Sequence, residues 1–517
     1  MVPGVSGVSR CDSELQSVRF EAEMEESGAD GDGPGLEVVL PEEGRETPRC
    51  PHGPTLLFAK VCKGGESSRR FFACSACRDR KDCNFFQWED EKVSEARLQA
   101  REAENRAKRP GTAQQDSWSR FVKFCGLGAH EQRFCLDCQL LLLPAEVASH
   151  AAHSTRLVGA AQLRRPSLLL RPLDNKKSQA QFLFTERSAR FLLDALAARG
   201  FSRLLCVGAP RLQELAKLRS QEQDGALKSL LLDIDSRYAQ FYRPDEFCHY
   251  NMFNHHFFGG EASSGVLRAF LAESAGEKVV MVADPPFGGL VKPLASSFSR
   301  ISELWRKLQP SDSSAALIPM VWIFPYFFEP RILECLPSLT MLDYQVDYDN
   351  HPLYKHGKTG RKQSPVRLFT NIPAKDVVLP KDEGYRFCSV CERYVWSLNK
   401  HCSKCNLCPS KDGREWKHCS ACERCVKPSW RHCQACGRCA LPDHPCGSAH
   451  AARGCFLCGS LQHKRRACPA SAARRKNRFL TEGQSVSGEN RAKAKRKSGA
   501  ARRNRKLSLQ PVASAGS

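Results

Sequence analysis

Several stretches of the chain are apolar and unbroken, and each ends at a residue that stops a strand. Arg203 to Val207 runs into Gly208-Ala209-Pro210, and Leu230-Leu231-Leu232 runs into Asp233-Ile234-Asp235. Lys278 to Ala283 runs into Asp284-Pro285-Pro286-Phe287 and then glycines. An unbroken apolar run reads as a strand buried on both faces, and Pro-Pro marks the edge of its sheet. Amphipathic helices fall between: Ser188 to Arg199, closed by Gly200, and another beginning at Arg211. Strand–helix alternation predicts an α/β domain over about residues 165–380, with a Rossmann-like, doubly wound sheet. Ala315 to Phe328, interrupted by Pro319 and Pro325, is expected to form a buried strand pair. Leu339 to Asp349 and Val366 to Ile372 are expected to close the sheet.

The strand ends carry the candidate chemistry. A strand–glycine–helix turn at Gly208 is where such a sheet binds a nucleotide-like ligand, and an acid ending the second strand suits a ribose diol. Asp233 or Asp235 serves; Asp235 reads equally as a helix cap, so Asp233 is the first choice. Tyr250-Asn251-Met252-Phe253-Asn254 is expected in the next loop, facing adenine, with Asn251, Met252 and Phe253 as contacts. Asp284-Pro285-Pro286-Phe287 resembles the [Asp/Asn/Ser]-Pro-Pro-[Phe/Tyr/Trp] motif of S-adenosylmethionine-dependent methyltransferases that modify exocyclic amines. The resemblance makes these four the catalytic residues and adds Asp284 to the cofactor set. An adenine amine is a poor nucleophile because its lone pair is delocalised. A carboxylate and a carbonyl beside the prolines orient that lone pair by accepting its N–H bonds, and the aromatic ring stacks on the base. Gln181-Phe182-Leu183-Phe184 resembles the Gln-Phe-aromatic entry of some amino-methyltransferases and joins the cofactor candidates. The Gly208 turn departs from the usual Gly-x-Gly loop in having one glycine.

Composition sharpens this picture. The 517 residues hold 78 Lys+Arg against 56 Asp+Glu, a net charge of +22, which favours a polyanionic partner. MVPGVSGVSRCDSELQ lacks a basic stretch followed by an apolar one, and no apolar run reaches membrane-spanning length. A soluble intracellular protein without a membrane partner is expected. Its 27 cysteines are then metal ligands rather than disulfides.

The cysteines fall into modules. Residues 1–45 read as a disordered acidic leader. Residues 46–90 resemble a GRF-type zinc finger, with Cys50, His52, Cys74 and Cys83 as ligands, Ser68 to Phe72 as its core and Asn84 to Trp88 as its closing aromatic run. Arg69, Arg70, Phe85, Phe86 and Trp88 suit a single strand of nucleic acid or form the finger's own core; Cys62 and Cys77 are spare thiols. Residues 91–118 read as a charged, helix-prone, solvated spacer. Over 119–160, Cys135-x2-Cys138-x11-His150-x2-His153 has C2H2 order, with both histidines expected on a helix and the module acting as a clip on the catalytic domain. The basic loop between Asp349 and Val366 reads as a phosphate contact, a cover for the site or a plain surface loop.

Over 385–450, Cys388 and Cys391 precede three repeats: His401, Cys402, Cys405, Cys408; His418, Cys419, Cys422, Cys425; and His432, Cys433, Cys436, Cys439, followed by His444 and Cys446. These must cross-brace several zinc ions, since no apolar core exists there, but spacing leaves their pairing open. The pattern resembles the cysteine-rich region of DHHC palmitoyltransferases without their nucleophile motif, so a scaffold is expected. Residues 453–470 hold a CCHC knuckle, Cys455, Cys458, His463 and Cys468, with Phe456 placed to stack on a base, and 471–517 form a disordered basic tail that reads as a nuclear or nucleolar address.

This order of modules resembles the CCHC-zinc-finger ribosomal RNA adenine-N6 methyltransferases of animals. The resemblance implies a class I methyltransferase domain flanked by small zinc modules, with S-adenosylmethionine and Zn2+ as cofactors. It implies N6-methyladenosine formation in structured large-subunit (28S) rRNA, in support of ribosome function and translation. Ribosome-assembly proteins or RNA helicases are expected partners, and the nucleus, nucleolus and cytoplasm expected locations. The residues alone leave two rivals: a non-enzymatic RNA-binding assembly factor, and an amine methyltransferase acting on DNA or protein.

Overall fold

A computed structural model describes residues 36–446, apart from 41–44, 62–66, 78–81, 109–113, 174–179, 223–226, 273–276, 310–316, 352–363 and 445. Most of the leader, Cys62, the bulk of the 349–366 loop, the CCHC knuckle (Cys455, Cys458, His463, Cys468) and the basic tail lie outside the described residues.

The central sheet is built from β1 (Arg203–Val207), β2 (Lys228–Asp233), β3 (Phe247–Asn251), β4 (His256–Phe257), β5 (Val279–Ala283), β6 (Met320–Pro325), β7 (Thr340–Leu342) and β8 (Val366–Thr370). Their order across the sheet is β4-β3-β2-β1-β5-β6-β8-β7. The five strands from β3 to β6 are parallel, while β8 enters antiparallel between β6 and β7. Every residue of β1, β5, β6 and β8 is buried, the polar Arg203, Arg367 and Thr370 among them.

Strand periodicity divides the core between the two faces. Leu204, Cys206, Leu231, Val280, Val282, Val321 and Ile323 face α1 (Glu186–Ala197) and α2 (Pro210–Glu222), against Leu192, Leu196, Leu212 and Leu215. Leu205, Val207, Leu232, Met281, Ala283, Trp322 and Phe324 face α3 (Gly260–Leu271), α4 (Val291–Leu308) and α5 (Glu329–Cys335), against Leu267, Leu294, Phe298, Ile301 and Ile332. The Thr185 hydroxyl caps α1 by accepting from the Ser188 amide at 3.2 Å, and Gly200 ends that segment at φ +75°.

Four expectations are corrected. The 315–328 segment forms one described strand, β6, not two: Pro325 ends it, and Tyr326–Phe328 turns as a 3-10 helix into α5. The charged spacer holds two helices, Glu95–Ala107 and Gln114–Cys125. The second crosses the 118/119 boundary because its Ser117 and Phe124 are buried. In the C2H2 module a strand, Leu140–Leu142, and a 3-10 helix, Pro144–His150, replace the expected helix, and His153 lies beyond it. Finally, Tyr250 and Asn251 belong to β3 rather than to a loop.

Flanking modules are pinned to the sheet domain by side-chain amides and buried acids. Gln240 accepts from the Leu141 amide at 2.9 Å and donates to the Gln139 carbonyl at 3.0 Å, clipping the C2H2 module to the 3-10 helix Ser236–Gln240 that follows β2. On the cysteine-rich side, one oxygen of buried Asp343 accepts from the Trp396 amide at 3.1 Å and the Asn399 side chain at 2.7 Å. Asp343→Ala strands both donors and lowers stability by about 2–4 kcal/mol. The expected readout is a lower thermal midpoint with faster amide exchange over 393–399 and unchanged zinc content; full protection of those amides would show that Asp343 holds nothing.

Candidate active site

The carboxyl ends of β1, β2 and β5 converge on Gly208. Its amide donates to the Leu232 carbonyl at 2.9 Å, and the Asp284 amide donates to the Val207 carbonyl at 3.0 Å. Gly208 has φ +67°, and a Cβ there would lie 2.5 Å from Met252 Cε and 3.1 Å from the Asp284 carbonyl oxygen. Only glycine fits both the conformation and the space. The turn opens onto a cavity of about 70 Å³ lined by Gln181, Phe182, Gly208, Asp233, Asn251, Met252, Phe253 and Asp284 to Phe287.

Within this set the two acids differ. Asp235 caps the 3-10 helix Ser236–Gln240, accepting from the Arg237 amide at 3.1 Å, and pairs with the Arg237 guanidinium at 2.7 Å. Asp233 accepts from the Asp235 amide at 2.8 Å and otherwise meets the cavity. Burial, with the Asp235 charge nearby, pushes its carboxyl up to about 7. It is suited to hydroxyl donors that restore the ionised form.

Asp284 is half-buried where it lines the cavity, and loss of solvation raises its carboxyl well above the usual carboxylate range. The Tyr348 hydroxyl opposes that shift by donating to Asp284 Oδ1 at 2.8 Å. Of the carbonyls at this turn, that of Pro286 accepts from the Gly289 amide at 2.8 Å. Phe287 meets Phe182 at 5.4 Å and Tyr348 at 5.6 Å between ring centroids, and His351 stands 4.4 Å from Phe182. Burial pushes His351 down to about 4, so its ring is neutral.

Tyr348 and His351 were not singled out by the sequence reading. Tyr348 reaches the site because residues 183–185 run antiparallel to 347–349: Thr185 donates to the Asp347 carbonyl and Asp349 to the Leu183 carbonyl, both at 2.9 Å. A buried tyrosine in the closing apolar stretch, needing a partner for its hydroxyl, was the available signal. Two cofactor candidates fall elsewhere. Leu183 and Phe184 do not line the cavity; this pairing turns them into the core, where Phe184 packs on Tyr348. Asn251 does line it, but its amide is spent on the GRF-type module, donating to the His52 carbonyl at 2.8 Å and to Ser75 Oγ at 2.9 Å.

Residues 175–355 match the family described as "Probable N6-adenine methyltransferase", and residues 48–92 the GRF zinc finger family. The chain is 60% identical to rRNA N(6)-adenosine-methyltransferase ZCCHC4 of Homo sapiens over 455 residues, 87% of this chain and 88% of that protein. It is also 60% identical to the Xenopus tropicalis protein of that name, over 84% of this chain and 89% of the relative, and 56% identical to the Mus musculus one, over 84% and 85%. The chain belongs to the rRNA N6-adenosine methyltransferase family.

The cofactors of the family are S-adenosylmethionine and zinc, and the residues fit both. Asp233 offers a buried acceptor for a diol, and the Gly208 turn a backbone approach that a Cβ would block. For zinc, Zn–S bonds of about 2.3 Å at tetrahedral angles place ligand atoms about 3.5–3.8 Å apart. Cys50, His52, Cys74 and Cys83 gather in the GRF-type module, with Cys74 Sγ 3.5 Å from His52 Nδ1. Cys77 stands beside them, 3.6 Å from His52 Nε2. Cys135, Cys138, His150 and His153 gather in the C2H2 module.

The cysteine-rich region of this methyltransferase resolves into interleaved sets: Cys388, Cys391, His401 and Cys408; Cys402, Cys405, His418 and Cys425; Cys419, Cys422, His432 and Cys439. Closing S···S edges of 3.8, 3.7 and 3.7 Å match tetrahedral zinc. Cys433, Cys436, His444 and Cys446 meet at 3.4 to 3.6 Å, with His444 turning Nε2 inward because its Nδ1 faces the Leu441 carbonyl at 2.7 Å. The first three sets each take their histidine and last cysteine from the next repeat, and the fourth takes His444 and Cys446 beyond the last one, a pairing that spacing left open.

The predicted acceptor pair carries a pH dependence. Asp284 must be ionised to accept well, its carboxyl is raised by burial, and Tyr348 draws it back down. Tyr348→Phe therefore raises it further, so activity is lost at a higher pH as the solution is acidified. We expect the acidic limb of the kcat profile to move upward and kcat at neutral pH to fall roughly 10- to 100-fold. The affinity for S-adenosylmethionine stays as in the parent. An unmoved acidic limb would show that Tyr348 serves packing alone.

Proposed function

We propose that the protein transfers the methyl group of S-adenosylmethionine to N6 of an adenosine in structured large-subunit (28S) rRNA, in support of ribosome function. The observation that carries this reading is the placement of Asp284-Pro285-Pro286-Phe287 at the end of β5, against the Gly208 turn and the cavity under Asp233. The curated relatives bear rRNA N6-adenosine methyltransferase names, and the net charge of +22 suits RNA.

S-adenosylmethionine supplies an electrophilic methyl, held by the Gly208 turn, Asp233 and the Met252–Phe253 wall. Asp284 and the Pro285 carbonyl accept the two N–H bonds of the adenine amine and aim its lone pair. Phe287, supported by Phe182 and Tyr348, stacks on the splayed base. Orientation does most of the work, and the surplus proton leaves to solvent or passes through Asp284.

The zinc modules and the basic tail grip the RNA. In the GRF-type module much of the aromatic and basic surface is already engaged: Phe71 stacks with Phe86 at 5.0 Å, Arg69 lies over Trp88 at 4.4 Å, and Arg70 pairs with Glu89 at 2.5 Å. The knuckle and tail therefore carry more of the grip, and the tail also serves as the nucleolar address. Ribosome-assembly proteins or RNA helicases are the partners such a substrate brings.

The test is transfer of labelled methyl to total RNA, genomic DNA and cell protein in parallel. Label is expected in large rRNA as N6-methyladenosine. Asp284→Ala should lose it by at least 100-fold while holding RNA affinity within about twofold. Label in DNA or protein overturns the substrate, and no label in any polymer turns the reading to an assembly factor. Deleting 453–517 should weaken RNA binding and reduce the slope of log K against log salt, by about 0.7 for each single-strand phosphate that the segment neutralises. An unchanged slope would make the knuckle and tail a protein-contact segment.

A further inference from the structure

We propose that the zinc loop of the GRF-type module is a wall of the donor pocket, so that binding of S-adenosylmethionine and retention of that zinc are linked through Asn254. The inference rests on the cavity beneath Gly208 and Asp233 being the donor's site. Ala76, which lies between Cys74 and Cys77, lines that cavity alongside Gly208, Asp233 and Met252. Ile234, next in the chain to Asp233, packs against the buried group Cys50, Cys74 and Ala76. The finger thus touches the pocket and one of the segments that shape it.

Two amides fasten this contact. Asn251 donates to the His52 carbonyl at 2.8 Å and to Ser75 Oγ at 2.9 Å. Asn254 Nδ2 reaches the Pro54 carbonyl at 2.7 Å, Ser75 Oγ at 2.9 Å and the His52 carbonyl at 3.1 Å, sharing its two hydrogens among three acceptors. Between them lie Met252 and Phe253, both cavity-lining residues. The fit is close on the other side as well: Gly53 has φ +96°, and a Cβ there would lie 2.4 Å from the His256 ring.

The acceptors belong to the loops that carry His52 and Cys74, and these loops have little apolar core of their own. Zinc is what holds them in one conformation. Losing the metal releases the His52, Pro54 and Ser75 acceptors, strands the buried Asn251 amide and frees the 251–254 segment. A donor molecule that needs Met252, Phe253 and Ala76 in place favours the zinc-loaded finger, and by linkage the zinc-loaded finger favours the donor by the same factor. Asn254 separates this effect from direct contact, because it fastens the finger without lining the donor cavity.

The experiment is calorimetric titration of the full-length, zinc-loaded protein with S-adenosylmethionine, for the parent, Asn254→Ala and Asp233→Ala. Asn254→Ala is expected to weaken binding roughly 5- to 20-fold with zinc content per chain unchanged. Ser75→Ala, which removes the shared acceptor from the finger side, is expected to act in the same direction and stands in should Asn254→Ala fold poorly. Saturating S-adenosylmethionine should raise the chelator concentration that removes half of one zinc equivalent in the parent, by that factor, and not in Asn254→Ala. Parental donor affinity in both finger-contact variants, with no protection of zinc, overturns the linkage. Parental affinity in Asp233→Ala overturns the assignment of the cavity itself.

Discussion

The active end of the sheet depends on one close backbone approach. Val207, Leu232 and Asp284 are tied together by amide–carbonyl bonds around Gly208, in a space that excludes even a methyl group. That approach sets the exit direction of three strands at once. It puts the β5 exit, and with it the Asp-Pro-Pro-Phe turn, beside the end of β2. Asp233 and Asp284 line one small cavity across the end of β1, where Gly208 carries no side chain to fill it.

Around this centre, order is supplied in two different ways. The sheet domain buries apolar strands between helices, and the hydrophobic effect holds it. The finger modules bury only short apolar sets, such as Leu56, Leu57, Phe58 and Phe72 in the first, and add cysteine and histidine clusters to hold their loops. The two kinds of structure are joined by apolar packing, with Phe124, Phe134 and Leu141 of the second finger and Tyr385 of the cysteine-rich region in the sheet domain's core and Leu290 against Leu56 and Phe58 of the first finger, and by polar contacts whose partners are mostly backbone: Asn251 and Asn254 to the first finger, Gln240 to the second, Asp343 to the cysteine-rich region. Such joints are directional. They fix the angle at which each module meets the sheet, which the apolar packing beside them would not set alone.

Much of this was legible in the sequence. Unbroken apolar runs located β1, β2 and β5, because strands buried on both faces leave no polar positions to confuse the period. Ligand spacing located the clusters for a similar reason, since zinc demands particular residues within a short reach. What escaped is what depends on distant parts of the chain meeting. Leu183 and Phe184 look like pocket residues in a Gln-Phe-aromatic string, yet their pairing with residues 347–349 turns them inward. Tyr348 reaches Asp284 through that same pairing, across 64 positions. Asn251 has the right place in order for an adenine contact, and only the docked finger shows where its amide is used. The interleaving of the cysteine-rich sets likewise follows from hairpin geometry rather than from spacing.

Asp284 shows why an acid can occupy so poorly solvated a position. Burial works against its ionised form, and among the described residues no cationic side chain offsets that cost; a single tyrosine hydroxyl does so in part. The folded protein is therefore left with an acceptor that its own structure under-supplies. In the proposed reaction an adenine amine brings the missing donor, so that its arrival restores hydrogen bonding that folding gave up. Any strengthening of that bond as the amine nitrogen gains positive character acts on the transition state rather than on the bound substrate, which is where binding energy raises the rate.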